Sequence, residues 1–471
     1  MDDYLNNRLR YDSDVRLRFV DLFCGIGGFH QALTTHADCV LACDIDENCR
    51  KVYQENFGII PGNDIRIVKE NVVDHDILTA GFPCQPFSKS GNQLGFLDKI
   101  RGTLFEDIMD IVRSKKPSVI ILENVRNFES HDEGRTLAIV KGSLDEEGYY
   151  VREQILSPHQ FGIPQIRQRI FIVALRKENV QDYEKFKFPE ITNQDYNIDS
   201  IKCSDLSSGE EKLYAITNKQ KRIFKHWNIL IKAVLSKNKK FPAPTWAMEF
   251  DREYELDGKF PLTERTQQEL FDELSKEQLV VEENLSKEEL IAYYPPYIRT
   301  IKGSIPKWKR RFIKNNRKFW KENKNLVPKD WLAKTRSFED TYQKLEWHVG
   351  KNAKTVNDYD IFKWMIHLRP SGIRVSKLNH IPALVAISQI PIIGPWGRKL
   401  TPREAANAQS FNHDFKLDEN ISVSYKQLGN SVNVDLVRLI FMEILKLNIK
   451  TRFNNTHSSQ LKKQSHVDFI Q

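Results

Sequence analysis

The stretch LRFVDLFCGIGGFHQAL, residues 17–33, decides the fold. Residues 17–22 read as a buried strand, and Gly25, Gly27 and Gly28 stand between that strand and a helix. Glycines at such a turn let the backbone approach a ligand, with the N–H groups of the helix start facing it. Four further apolar runs read as strands: CVLAC (39–43), DILTA (76–80), SVIIL (118–122) and IFIVA (170–174). Helical spacing lies between them, as at Ile108, Ile111 and Val112. Strands without polar alternation, separated by helices, predict an α/β fold: a parallel sheet covered on both faces.

The 471 residues are enough for two to four domains, and 40% hydrophobic with 28% charged residues is the balance of a soluble globular chain. No apolar run reaches the roughly 18 residues of a membrane span. The opening residues have no apolar signal core, so a cytoplasmic protein is expected. Six cysteines without CxxC spacing fit reduced thiols. Cys39 and Cys43 flank a strand-like VLA, and no Cys/His pair completes a metal site with Cys49. A net charge of +8 permits a polyanionic partner without demonstrating one. Its distribution is more telling. Between Arg299 and Lys324 eleven Lys/Arg stand against Glu322, interleaved with Trp308, Phe312, Phe319 and Trp320.

Asp44 and Asp46 follow the second run, where an acid binds ribose hydroxyls; Asp46 reads equally well as a helix N-cap. Asp64 suits an adenine amino group or the start of a turn. Together these point to an adenosyl cofactor and leave NAD and S-adenosylmethionine both open. The dinucleotide pattern is disfavoured, because His30 stands where its third glycine belongs. Cys84 lies between Pro83 and Pro86, just past the run DILTA (76–80), as a turn residue or a nucleophile. Arg167 and Arg169 are cations that would lower a thiol pKa, and Glu123 ends an apolar strand as a candidate acid or a helix cap.

FVDLFCGIGGFHQAL, DHDILTAGFPCQPFSKSGNQLGF, RGTLFEDI, ILENVRNFESHDEG, FGIPQIRQRIFIVA, RKLTPREAANAQSF and YKQLGNSVNV follow one another in this order. In these blocks the chain resembles the DNA (cytosine-5) methyltransferases, most closely the bacterial restriction-modification enzymes. The resemblance covers about the first 176 residues and 398 to about 447. It implies a Rossmann-like, S-adenosylmethionine-dependent methyltransferase domain from 1–180 and 398–450. A separate, irregular target recognition domain would occupy 181–397, with a polar tail at 451–471.

The resemblance implies that Cys84 adds to C6 of cytosine, assisted by Glu123, Arg169 and its partner Arg167. It places Phe23, Gly25, Gly27, Asp44, Ile45, Asp64, Ile65, Pro83, Leu104, Asn430 and Val432 around the cofactor, which leaves as S-adenosylhomocysteine. Gln85, Ser88 and Ser90 would touch double-stranded DNA, from which the target base must be rotated out. The basic stretch 299–324, and Arg369 and Arg374 in LRPSGIRV (368–375), are further DNA candidates. A solvated amphipathic face is the plainer reading of 299–324. A monomer beside a cognate restriction endonuclease, without membrane contact, is expected. A tRNA methylase would carry a Cys-Phe-Thr signature that is absent, and a catalytically dead regulator would not retain Cys84, Glu123 and Arg169.

Overall fold

In the computed structural model, four apolar runs lie side by side as parallel strands: β1 (Leu17–Leu22), β2 (Ala37–Cys43), β3 (Ile77–Ala80) and β4 (Val119–Val125), in the order β2-β1-β3-β4. The residues described are 16–83, 103–204, 206–257, 260–277, 279–280, 284–384 and 389–451. Every residue of β3, and all of β4 but Val125, is buried, which is why both runs lack polar alternation.

The sheet is not parallel throughout. β5 (Tyr149–Leu156) closes one edge, and β7 (Arg169–Arg176) runs antiparallel between it and β4. Segment 157–168 carries only a short 3₁₀ turn and the two-residue β6 (Gln165–Ile166), too little for the helical crossover that a parallel return requires.

Helices α1 (Gly28–Leu33), α2 (Glu47–Phe57), α3 (Ile65–Val68), α4 (Leu104–Lys115) and α5 (Arg135–Glu146) accompany the sheet. In α4 the Thr103 hydroxyl accepts the Glu106 N–H at 3.3 Å. Acids then fill its first turn and Arg113 and Lys115 its last, complementing the helix dipole. Phe105, Ile108, Met109, Ile111 and Val112 are its buried face.

The chain divides into two compact units. The first joins Met1–Cys203 to His380–Ser388 and Pro402–Gln471; the second joins Ser204–Asn379 to Gln389–Thr401. The second unit therefore spans 204–401 with 380–388 set apart, where the sequence suggests 181–397 for the target recognition domain. The two-residue β8 (Val180–Gln181) pairs with Asn448–Ile449, and Gln165–Ile166 with Ile381–Pro382. The Cys203 N–H reaches Glu404 Oε1 at 3.0 Å, and Asn407 Nδ2 donates to the Ile201 carbonyl at 3.0 Å. Gly429 and Asn430 end the helix Ile421–Asn430, and a second helix, Val434–Leu445, starts from its own cap at Asn433.

The second unit is more regular than its sequence suggests. Six short strands form a mixed sheet in the order Arg398–Lys399, Ile392–Ile393, Met365–Arg369, Gly372–Ser376, Lys344–Trp347, Thr245–Trp246. Its core is aromatic: Trp227 and Trp331 meet edge to face, and Phe250 stacks on Trp320 at 4.7 Å. Helix Lys307–Asn323 buries Ile313, Phe319 and Trp320, so part of the basic stretch is a packed amphipathic helix. Several of its cations serve the fold: Arg310 pairs with Asp257, Arg317 with Glu249 and Lys324 with Asp251. Among the described residues no helix is long and apolar enough to cross a membrane.

Candidate active site

Strand register gathers the site. Leu22 lies opposite Cys43 on one side and Ala80 on the other, and Ala80 lies opposite Leu122. The residues that follow this row, Phe23–Gly27, Asp44, Gly81–Pro83 and Glu123, therefore emerge together at the carboxyl edge of the parallel strands. Ligands of open α/β sheets bind at this edge. Arg169 joins them because antiparallel β7 starts there, with Arg169 opposite Val125.

The glycine loop is held from below. Asp44 Oδ2 accepts the Gly25 N–H at 2.8 Å, and its Oδ1 accepts the Asp46 N–H at 2.8 Å. Burial pushes the Asp44 carboxyl up, opposed by these two backbone donors. Gly25 has φ 53°, and no described atom lies within 4 Å of where its Cβ would stand. Gly27, at φ 90°, is glycine for a different reason: a Cβ there would collide with the Phe57 ring. Open space over Gly25, two acceptor oxygens on Asp44 and an Ile45 side chain 74% exposed suit an adenosyl group.

Other predicted cofactor residues divide. Phe23 takes a left-handed turn at φ 53°. Asp64 reaches the same edge through the Cys43–Gly62 bridge, but its carboxylate caps α3 and pairs with Arg66 at 2.5 Å, which holds it below the usual carboxylate range. Ile65 is buried in the sheet core, and Leu104 packs half-buried against that core. Pro83 and Asn430 are exposed, whereas Val432 is buried beside Gly28. Asp46 is the N-cap of α2, accepting from Asn48 and pairing with Lys426 at 3.0 Å.

Glu123 is 7% exposed, and its Oε1 lies 2.8 Å from Arg169 Nε. Burial raises its pKa above the usual carboxyl range, against the opposing charges of Arg169 and Arg167. Arg167 is buried close enough to Glu123 and Arg169 for their charges to act on one another, and its guanidinium is held by backbone carbonyls. Its Nη1 donates to the Gly429 carbonyl at 2.9 Å and its Nη2 to that of Ser431 at 2.6 Å. Burial, with the like charge of Arg169, lowers it to about 9. These hydrogen bonds tie Arg167 to the turn that follows the helix Ile421–Asn430.

Cys84, Gln85, Ser88 and Ser90 lie outside the described residues. The chain leading to Cys84 is fixed at Phe82, which is buried and whose carbonyl accepts from Asn124 Nδ2 at 2.9 Å. Asn124, the middle residue of the ENV block, went unassigned in the sequence. In the second unit Arg374 lies in register with Glu346 and His367 on the neighbouring strands. Its Nε pairs with Glu346 at 2.9 Å, and Arg369 Nε donates to His367 Nδ1 at 3.2 Å.

Asp21 was also missed, although a charge inside an apolar strand is a visible signal. It is fully buried, accepts the Thr79 hydroxyl at 2.9 Å, and is raised by burial to about 7. Its folded pKa exceeds the unfolded value. The folded state therefore holds its proton longer, and stability is lost as pH rises from about 4 through about 7. Asp21→Asn keeps an acceptor for Thr79 and removes that loss. Its melting temperature should equal or trail the parent's at pH 4 and exceed it by several degrees at pH 8; a pH-independent difference would refute the assignment.

Comparison with known proteins gives one family. The profile of the C-5 cytosine-specific DNA methylases matches residues 17–446. The Type II methyltransferase M.AluI of Cellulosimicrobium cellulans is 30% identical over 92% of both chains. M.BanI of Aneurinibacillus aneurinilyticus is 28% identical, over 93% of this chain and 98% of its own. M.HhaI of Haemophilus parahaemolyticus is 50% identical over 37% of this chain, a match spanning 53% of that protein.

Proposed function

The chain belongs to the C-5 cytosine-specific DNA methylase family, and we propose that it methylates C5 of a cytosine within a specific double-stranded DNA sequence. The observation that carries the reading is the Glu123–Arg169 pair at the same sheet edge as the Gly25–Asp44 loop and the entry to Cys84. C5 of cytosine is a weak nucleophile, so electrons must first enter the ring. The target base leaves the stack, since its face is closed inside a duplex. Cys84 thiolate then forms a bond to C6 while the Glu123 carboxyl gives a proton to N3. Arg169, tied to Glu123, orients that carboxyl and meets the ring oxygen at C2. S-adenosylmethionine, when bound, supplies the electrophilic methyl group that C5 takes up. Water then takes the C5 proton, the freed electron pair forms the C5=C6 bond, the Cys84–C6 bond breaks with the sulfur keeping its pair, and N3 returns its proton to Glu123.

Phe23, Gly25, Gly27, Asp44 and Ile45 would hold the cofactor, with Asp64, Pro83, Asn430 and Val432 bordering it. Gln85, Ser88, Ser90, Arg369 and Arg374 would contact the duplex. The Glu346 carboxylate beside Arg374 would steady its guanidinium for a base edge. We extend the proposal to a cytoplasmic monomer that protects host DNA from an endonuclease of the same specificity.

The test is direct. Labelled S-adenosylmethionine with duplex DNA should give 5-methylcytosine at one recurrent sequence, found by conversion-based sequencing, and no label in tRNA. Label in tRNA alone, or methylated cytosines in no common sequence, would overturn the reading.

A further inference from the structure

The second unit contains a cavity of about 330 Å³ that the reaction above does not use. Arg252, Arg299 and Arg336 face it, with Tyr293, Tyr294 and Pro296 among its apolar walls. Asp340 is the one acid lining it among the described residues.

Arginines that serve packing in this unit end on carboxylates, as Arg265 does on Glu273 and Arg317 on Glu249. Two of the cavity arginines do not. Arg299 donates to the Tyr294 and Ala292 carbonyls at 2.7 and 2.5 Å, and Arg336 to the Phe250 carbonyl at 2.6 Å. Neither has a carboxylate within 4.0 Å among the described residues. Arg252 is 5% exposed and pairs with Glu277 at 2.8 Å. Its Nη1 donates to the Tyr293 carbonyl at 2.9 Å, yet Nη2 finds no acceptor among the described residues. Burial and the charge of Arg252 pull Arg336 down, against the carboxylates of Asp251, Glu277 and Glu249.

Guanidinium groups lining one cavity, two of them without a carboxylate partner among the described residues, match the oxygens of a phosphate, which accepts several charge-assisted hydrogen bonds at once. A carboxylate would use fewer of them. The cavity is larger than a phosphate needs, and its tyrosine and proline rings offer an apolar wall to a sugar or base attached to it. We propose that this cavity seats a phosphate group, carried either by the DNA backbone outside the recognised bases or by a small free phosphate ester. The DNA source rests on the function proposed above; the free source does not.

Arg299→Gln and Arg336→Gln separate the two. Arg299 is exposed, so its variant serves even where loss of the half-buried Arg336 lowers stability. For a backbone phosphate, each variant should raise KM for DNA several-fold on every substrate and leave the methylated sequence unchanged. The slope of log KM against log salt should fall by about 0.9 for one lost contact. For a free ester, inorganic phosphate should raise the melting temperature of the parent and not of the variants, with the DNA salt slope intact. Arg336→Lys should recover part of either effect. Variants that keep both the parent's salt slope and its response to phosphate would overturn the proposal. Failure of the parent to methylate any DNA would instead remove the function above and leave the phosphate measurement to decide this one.

Discussion

Cys84→Ala is expected to lower turnover by on the order of 10⁴-fold or more, while DNA and cofactor still bind. In the proposed route Cys84 supplies the electrons that enter the ring at C6, and loss of a covalent nucleophile is among the largest single effects on an enzyme. The loss should fall on kcat, because Cys84 forms its bond only as the reaction proceeds. DNA carrying 5-fluorocytosine at the target should trap the parent as a covalent complex, since the fluorine cannot leave as a proton does. The variant should form none. A variant that still labels DNA at a tenth of the parental rate would exclude the addition route. Parental enzyme that methylates normal DNA yet never forms the fluorinated adduct would exclude it equally.

Glu123→Gln is the second large effect. The amide is nearly isosteric and can still face Arg169, but it has no acidic proton for N3. General acid assistance typically contributes about 10²–10⁴-fold, so kcat should fall within that range. The pH profile carries the sharper statement. Burial raises Glu123 above the ordinary carboxyl range, and the proposed proton transfer to N3 requires the protonated form. Parental kcat should therefore decline as pH rises through the Glu123 pKa in the bound complex, and the variant should lack that decline. An alkaline limb of the same midpoint in Glu123→Gln would assign the proton to another group.

What the sequence revealed follows burial. β3 and β4 were legible because a strand covered on both faces leaves no polar residue to confuse it. β5 escaped because it is an edge strand whose Arg152, Glu153 and Gln154 meet solvent or neighbouring side chains. The strands of the second unit escaped for a simpler reason. Two to five residues cannot display a period.

Site residues follow a similar rule. Asp44 and Glu123 stand immediately after apolar runs, so their edge position could be read directly. Arg167 and Arg169 look alike in QIRQR, and only the fold separates them. One pairs with Glu123; the other reaches carbonyls more than 260 positions along the chain. Asp46 and Asp64 show the ambiguity of acids at strand ends, since a helix cap and a ligand contact ask for the same residue type.

The two hydrogen bonds of Arg167 also set a timetable. On the ribosome the strands that carry Glu123 and Arg169 emerge long before Gly429 and Ser431 exist. Until then Arg167 has no carbonyls to meet, and Gly28 lacks the Ser431 and Val432 side chains that close over it. A nascent chain therefore cannot complete its methyl-transfer centre by local folding alone. Contacts of such long sequence separation form late, so translation of the segment between them acts as a delay. Truncated chains released before residue 429 would contain the nucleophile and the acid, yet not the turn that Arg167 anchors.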